Sequence, residues 1–199
     1  MLGTSADFVA AAPEDAASLS ALLAPLESFR AGFKQAVTDA QEEVLENSVG
    51  TVLLARGNRF SWHILEPYEQ QLISDGSQIW QYDADLEQVV IREVSKDQQA
   101  SPTLILSGDV EQLAERYDVA LLESSETATR YRLTPVNEHD LFASLELSFN
   151  EGTPVQLILG DSFGQRTVID FVETEINPAI EVETFSFSPP EGAAVISDY

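Results

Sequence analysis

The chain has 199 residues, enough for one sizeable core and too few to require two domains. Its hydrophobic fraction of 44% is ordinary, but 34 Asp and Glu against 10 Lys and Arg give a formal net charge of −24. Phosphate-binding surfaces work by neutralising phosphates with Lys and Arg, so this balance excludes nucleic acid as a partner and disfavours adhesion to an anionic membrane.

Met1 to Ala12 lacks the basic start and long apolar stretch of a signal peptide. It reads as the start of a mature chain, a flexible segment ahead of one domain over residues 13–199. Pro13-Glu14-Asp15 places a proline and two acids where a helix N-terminus favours them. Leu19, Leu22, Leu23 and Leu26 then recur at helical spacing, and Pro25 ends the helix near Ala24. The period changes to two at Phe29, Ala31, Phe33 and Gln35, which predicts a strand. Val52 to Ile64 reads as two strands around a Gly57-Asn58 turn. On that reading Val52, Leu54, Phe60, Trp62 and Ile64 share one face with Arg56. A permanent cation on an apolar face asks for a partner. Asp75-Gly76 predicts a hairpin between Gln71-Leu72-Ile73 and Ile79-Trp80-Gln81-Tyr82, and Asp83-Ala84-Asp85 turns into Leu86 to Val94. Ser101-Pro102 opens a second helix through Leu104, Ile105 and Leu106 to Gly108, and Asp109 with Gln112 caps a further short turn through Tyr117. Ala143, Leu145, Leu147 and Phe149 alternate with polar residues. Two more turns then lead to Val155, Leu157 and Leu159, and to Thr167, Ile169 and Phe171. Short strands joined by tight turns mean antiparallel hairpins, hence a sandwich or a barrel.

Chemistry is absent where it would be legible. With no cysteine there are no disulfides, no thiolate nucleophile and no cysteine-based zinc site. His63 and His139 are far apart, and His63 falls on the polar face of its strand. Asp83, Asp85 and Glu87 open like a calcium loop, but Gln88 stands where glycine is needed and Val94 where glutamate is needed. There is no Walker loop, no G-x-G-x-x-G after a strand and no G-x-S-x-G elbow. Neither a cofactor nor an enzymatic activity is expected. Aromatic residues recur on the strands instead, as core packing or as the lining of an apolar ligand cavity.

Taken in order, Phe29-x-Ala31-x-Phe33-x-Gln35, Arg56-x3-Phe60-x-Trp62, Glu66-Pro67 and Ser74-Asp75-Gly76-x3-Trp80-x-Tyr82-x3-Leu86-x-Gln88 resemble the LolA family, periplasmic carriers of outer-membrane lipoproteins. Ser101-Pro102 before an apolar helix and the ending Phe185-x-Phe187-x-Pro189-Pro190-x-Gly192 extend the resemblance from about Leu19 to Val195. It implies a mainly β fold with a few helices, an unclosed antiparallel barrel covered by a helical lid. It implies a cavity for acyl chains, with Phe60, Trp62, Trp80, Tyr82, Leu106 and Leu157 as its lining. It also implies that Arg56 points inward at the mouth and latches the empty carrier by bonding lid backbone; the alternative is a rim arginine that snorkels from the strand end. Gly57 departs from the family, which often has proline after that arginine. The implied partners are lipoproteins, an ATP-driven inner-membrane transporter that hands them over, and the outer-membrane receptor LolB. The implied state is a periplasmic monomer. A LolB-like receptor, or a related open barrel that binds lipid or senses envelope stress, is the alternative.

Only two of the cations are lysines, Lys34 and Lys96, and an acidic, lysine-poor surface fits concentrated salt, where self-repulsion is screened. The melting temperature is therefore expected to rise from dilute buffer to near-molar sodium chloride. A flat or falling trend in thermal unfolding would overturn the inference about habitat.

Overall fold

The structure, a computed structural model, describes residues 12–94, 106, 113–137 and 142–198. The expected N-terminal segment, most of the helix expected after Ser101, its cap at Asp109 and Gln112, and His139 lie outside the described residues.

Helix α1 (Pro13–Leu23) starts on its proline with Glu14 and Asp15 in the first turn, where the positive end of the helix dipole favours acids. Six strands follow as a meander: β1 (Ser28–Thr38), β2 (Val44–Ala55), β3 (Arg59–Glu66), β4 (Gln70–Asp75), β5 (Gln78–Asp83) and β6 (Gln88–Glu93). Leu106 is helical. The short helix α2 (Leu113–Arg116) ends one residue earlier than its spacing suggests, because Tyr117 already pairs in β7 (Tyr117–Ser124). A second meander runs through β8 (Ala128–Pro135), β9 (Ser144–Asn150), β10 (Thr153–Gly160) and β11 (Arg166–Ile176). A 3-10 turn (Val182–Phe185) leads to β12 (Ala194–Asp198).

The described strands form one sheet in the order β12-β6-β5-β4-β3-β2-β1-β11-β10-β9-β8-β7. Every pairing is antiparallel except β12 with β6. The two meanders join along β1 and β11, where Phe29 faces Ile176 and Thr38 faces Arg166. The outermost strands, β12 and β7, do not pair with each other, so the barrel is unclosed.

Alternation puts the large apolar residues of most strands on one concave face. Phe29, Leu54, Phe60, Leu133, Leu147 and Leu157 are buried there in one cluster, which also takes Leu19 and Leu23 from α1. The face is smooth enough at Gly50 for close contact. A methyl group there would overlap the His63 carbonyl oxygen and the Phe33 ring. Gly50→Ala is therefore expected to cost about 1–3 kcal/mol, since the clash includes backbone that cannot rotate away. Urea unfolding should show this as a lower midpoint at unchanged slope.

Candidate functional site

Arg56 opens the turn between β2 and β3, and its amide donates to the Glu27 carbonyl at 3.0 Å. Its Nη2 donates to the Leu23 carbonyl at 2.7 Å and to the Ala24 carbonyl at 3.1 Å. These oxygens belong to the last turn of α1 and its C-cap, the negative end of the helix, and that turn has no basic residue of its own. The final carbonyls of a helix lack intrahelical donors; the Leu26 amide reaches the Leu23 oxygen at 2.9 Å, and the guanidinium adds a charged donor to it and to Ala24 that also suits the dipole.

The first half of α1 is fastened elsewhere. Asp15 Oδ2 accepts the Leu121 amide of β7 at 2.9 Å, a donor on the outermost strand of the sheet. The Ser18 hydroxyl and the Tyr131 hydroxyl of β8 lie 2.7 Å apart. Between these fastenings α1 turns Ala16, Leu19 and Leu23 into the concave core. The joint from α1 to β1 is pinned by Asn177, whose Oδ1 accepts the amides of Glu27 and Ser28 and whose Nδ2 donates to the Pro25 carbonyl.

Phe60, Leu106 and Leu157 come together in the cluster beneath α1, at 0%, 4% and 2% exposure. Trp62 packs against it, its ring 4.4 Å from that of Phe33. A cleft of about 360 Å³ lies at the other end of β1 and β2 from Arg56, lined by residues such as Lys34, Ser48 and Glu66, and holds none of the expected cavity residues.

Trp80 and Tyr82 do not join that surface. Trp62 stands opposite Leu72, and Leu72 opposite Gln81, so the β5 residue on the concave side is Gln81. Trp80 stands opposite Ile73, on the other face. A single lining that holds both Trp62 and Trp80 requires parity to carry through the hairpin. The turn leaves an even number of residues, Asp75 to Gln78, between the paired Ser74 and Ile79, and so reverses it. Trp80 and Tyr82 instead belong to a smaller apolar layer on the convex side. There Tyr82 lies 5.6 Å from Phe187, and Ile73, Val89 and Phe185 are buried apart from the main cluster.

The β4–β5 turn is itself well braced. Asp75 Oδ1 accepts the Ser77 and Gln78 amides and the Ser77 hydroxyl. Partial burial works against ionisation of Asp75, but these bonds outweigh it and hold its carboxyl below the usual carboxylate range. His63 stands opposite Gln71, on the same convex face as Trp80 and Tyr82 rather than on a purely polar one, and lies 3.0 Å from Glu69. Among the described residues no group of His, Asp and Glu could hold a metal ion, and no helix is long and apolar enough to cross a membrane.

Asp15, Tyr131 and Asn177 are the contributors that sequence reasoning missed. Their partners are between 106 and 152 residues away in sequence, and no local spacing marks them.

Comparison with known proteins points one way. The profile of the family described as "Outer membrane lipoprotein carrier protein LolA" matches residues 24–188. An outer-membrane lipoprotein carrier protein of Alcanivorax borkumensis is 40% identical over 174 residues, 87% of this chain and 83% of that protein. One from Chromohalobacter salexigens is 38% identical over 180 residues, 90% and 85% of the two chains. In fold, the chain is similar to an uncharacterised conserved protein of Thermus thermophilus (TM-score 0.56, 16% identity, covering 91% of this chain and 99% of that one). It is also similar to a LolA superfamily protein of Nitrosomonas europaea (TM-score 0.50, 13% identity, 89% and 98%).

Asp15→Ala should release the Leu121 amide. A hydrogen bond to a charged group is worth about 1.5–3 kcal/mol, so exchange of that amide should accelerate roughly tenfold or more while β9 and β10 keep their protection. Unchanged exchange at Leu121 would mean that another group shields this edge.

Proposed function

The chain belongs to the LolA family of outer-membrane lipoprotein carrier proteins, and we propose that it works in the periplasm as their acyl-chain chaperone. It takes lipoproteins from an ATP-driven inner-membrane transporter and gives them to the outer-membrane receptor LolB. Burying a methylene is worth about 0.8 kcal/mol, so a long acyl chain left in water costs on the order of 10 kcal/mol. A lipoprotein therefore needs a shield to cross an aqueous gap, and the shield must also let go.

The observation that carries this reading is the pair of bonds from Arg56 to the end of a helix lying on an apolar core. In the empty carrier α1 is the lid and Arg56 its latch. Loading swings α1 away, and acyl chains replace Leu19 and Leu23 against Phe60, Trp62, Leu106 and Leu157. Reclosure competes with binding and drives release.

Arg56→Leu tests this directly. It removes two charged hydrogen bonds of roughly 1.5–3 kcal/mol each, enough to move an open–closed balance more than about a hundredfold. It also adds apolar surface at the mouth. The variant should fold, load lipoprotein and hand it poorly to the receptor, measured with purified carrier, cargo and receptor. Normal loading with a wild-type hand-off rate would reduce Arg56 to a snorkelling rim residue.

A further inference from the structure

The turn that carries Arg56 has little stiffness of its own. Gly57 and Asn58 both take left-handed backbone, at φ +82° and +60°, and glycine is the least constrained residue there. Yet a latch works only if its guanidinium stays in reach of Leu23 and Ala24. Something outside the turn must hold it.

Three contacts brace it. Arg59 Nε donates back to the Arg56 carbonyl at 2.9 Å. The same guanidinium lies over the Phe185 ring, 5.8 Å from its centroid, and Phe185 is 1% exposed. The β4–β5 turn packs against the turn itself, where a methyl group on Gly76 would overlap the Gly57 carbonyl oxygen. Asp75, across from Arg59 in the register, uses Oδ1 for its own turn.

We propose that Arg59 is a positioning residue for the Arg56 latch, tying it to the C-terminal segment through Phe185. A planar guanidinium can offer its Nε edge to a carbonyl and its face to a ring at once, and an ammonium cannot. This assignment rests on the latch reading of Arg56. It adds that the lid balance is set from the opposite face of the sheet, by groups that touch no acyl chain.

The test is a double-mutant cycle on the full chain, comparing wild type with Arg56→Leu, Arg59→Leu, Arg59→Lys and the Arg56→Leu/Arg59→Leu pair. Two readouts are taken: amide exchange of α1 in the empty carrier, and hand-off of a purified outer-membrane lipoprotein to the receptor. Urea midpoints report global stability alongside. Arg59→Leu should speed α1 exchange about tenfold and slow hand-off, with loading unchanged. Arg59→Lys should fail to rescue either readout, and the pair should behave as Arg56→Leu alone. Phe185→Leu, which keeps the Arg59 side chain, should move both readouts the same way by less, and stands in for Arg59→Leu should that variant not fold. Wild-type behaviour of the Arg59 and Phe185 variants beside an impaired Arg56→Leu would overturn the role of Arg59 and leave the latch standing. Full additivity in the pair would also overturn it. An Arg56→Leu carrier that behaves as wild type would overturn the latch, and this proposal with it.

Discussion

The barrel does not close, so its concave face cannot be sealed by strand pairing and has to be covered by something less permanent. Here α1 lies on that face, and a helix brings an electrical demand of its own: terminal carbonyls with no donors. Arg56 meets that demand from the sheet side, and so joins the cover to the wall at one point. A cover held by burial alone would be indifferent to a few hydrogen bonds. One that gave up its apolar contacts to a guest would not be, because the guest would supply equivalent burial and the polar fastenings would decide the difference.

Much of this was legible in the residues. Pro13 to Leu23 announced its helix by an N-terminal proline, acids and leucine spacing, and it forms over that stretch. The β2–β3 hairpin was readable from alternation, including an arginine in line with five apolar residues, and the register places Val52 opposite Trp62 and Leu54 opposite Phe60. Trp80 and Tyr82 were misplaced for a reason local patterning cannot supply. Trp80 and Tyr82 form the more apolar face of β5, so alternation points them at the main core, and only the number of residues in the Asp75–Gln78 turn shows that Ile79 and Gln81 face it instead. Asp15 read correctly as a helix-start acid, but its bond to Leu121 depends on where β7 ends up. Fastenings between remote segments leave no period in a sequence.

The second apolar layer alters how the sheet should be pictured. Val89 and Phe185 are fully buried on the convex side of strands whose concave side carries the main core. The N-terminal meander is thus sandwiched in part, with the C-terminal segment holding its back while α1 lies on its front. That arrangement holds β3 and β4 from both faces, and β3 leads directly out of the Arg56 turn.

The seam between the meanders has a consequence for how the molecule comes into being. Phe29 must find Ile176, and Gly32 must find Val172, across almost the whole chain. Loop-closure entropy makes such contacts late, and topologies dominated by them fold in milliseconds to seconds rather than microseconds. Each meander can pair internally beforehand, but the concave face stays split until β11 arrives. The face that holds Phe29, Phe33 and Phe60 therefore lacks the half of its core that the second meander supplies until about nine-tenths of the polypeptide is available, which makes it the surface a chaperone would hold.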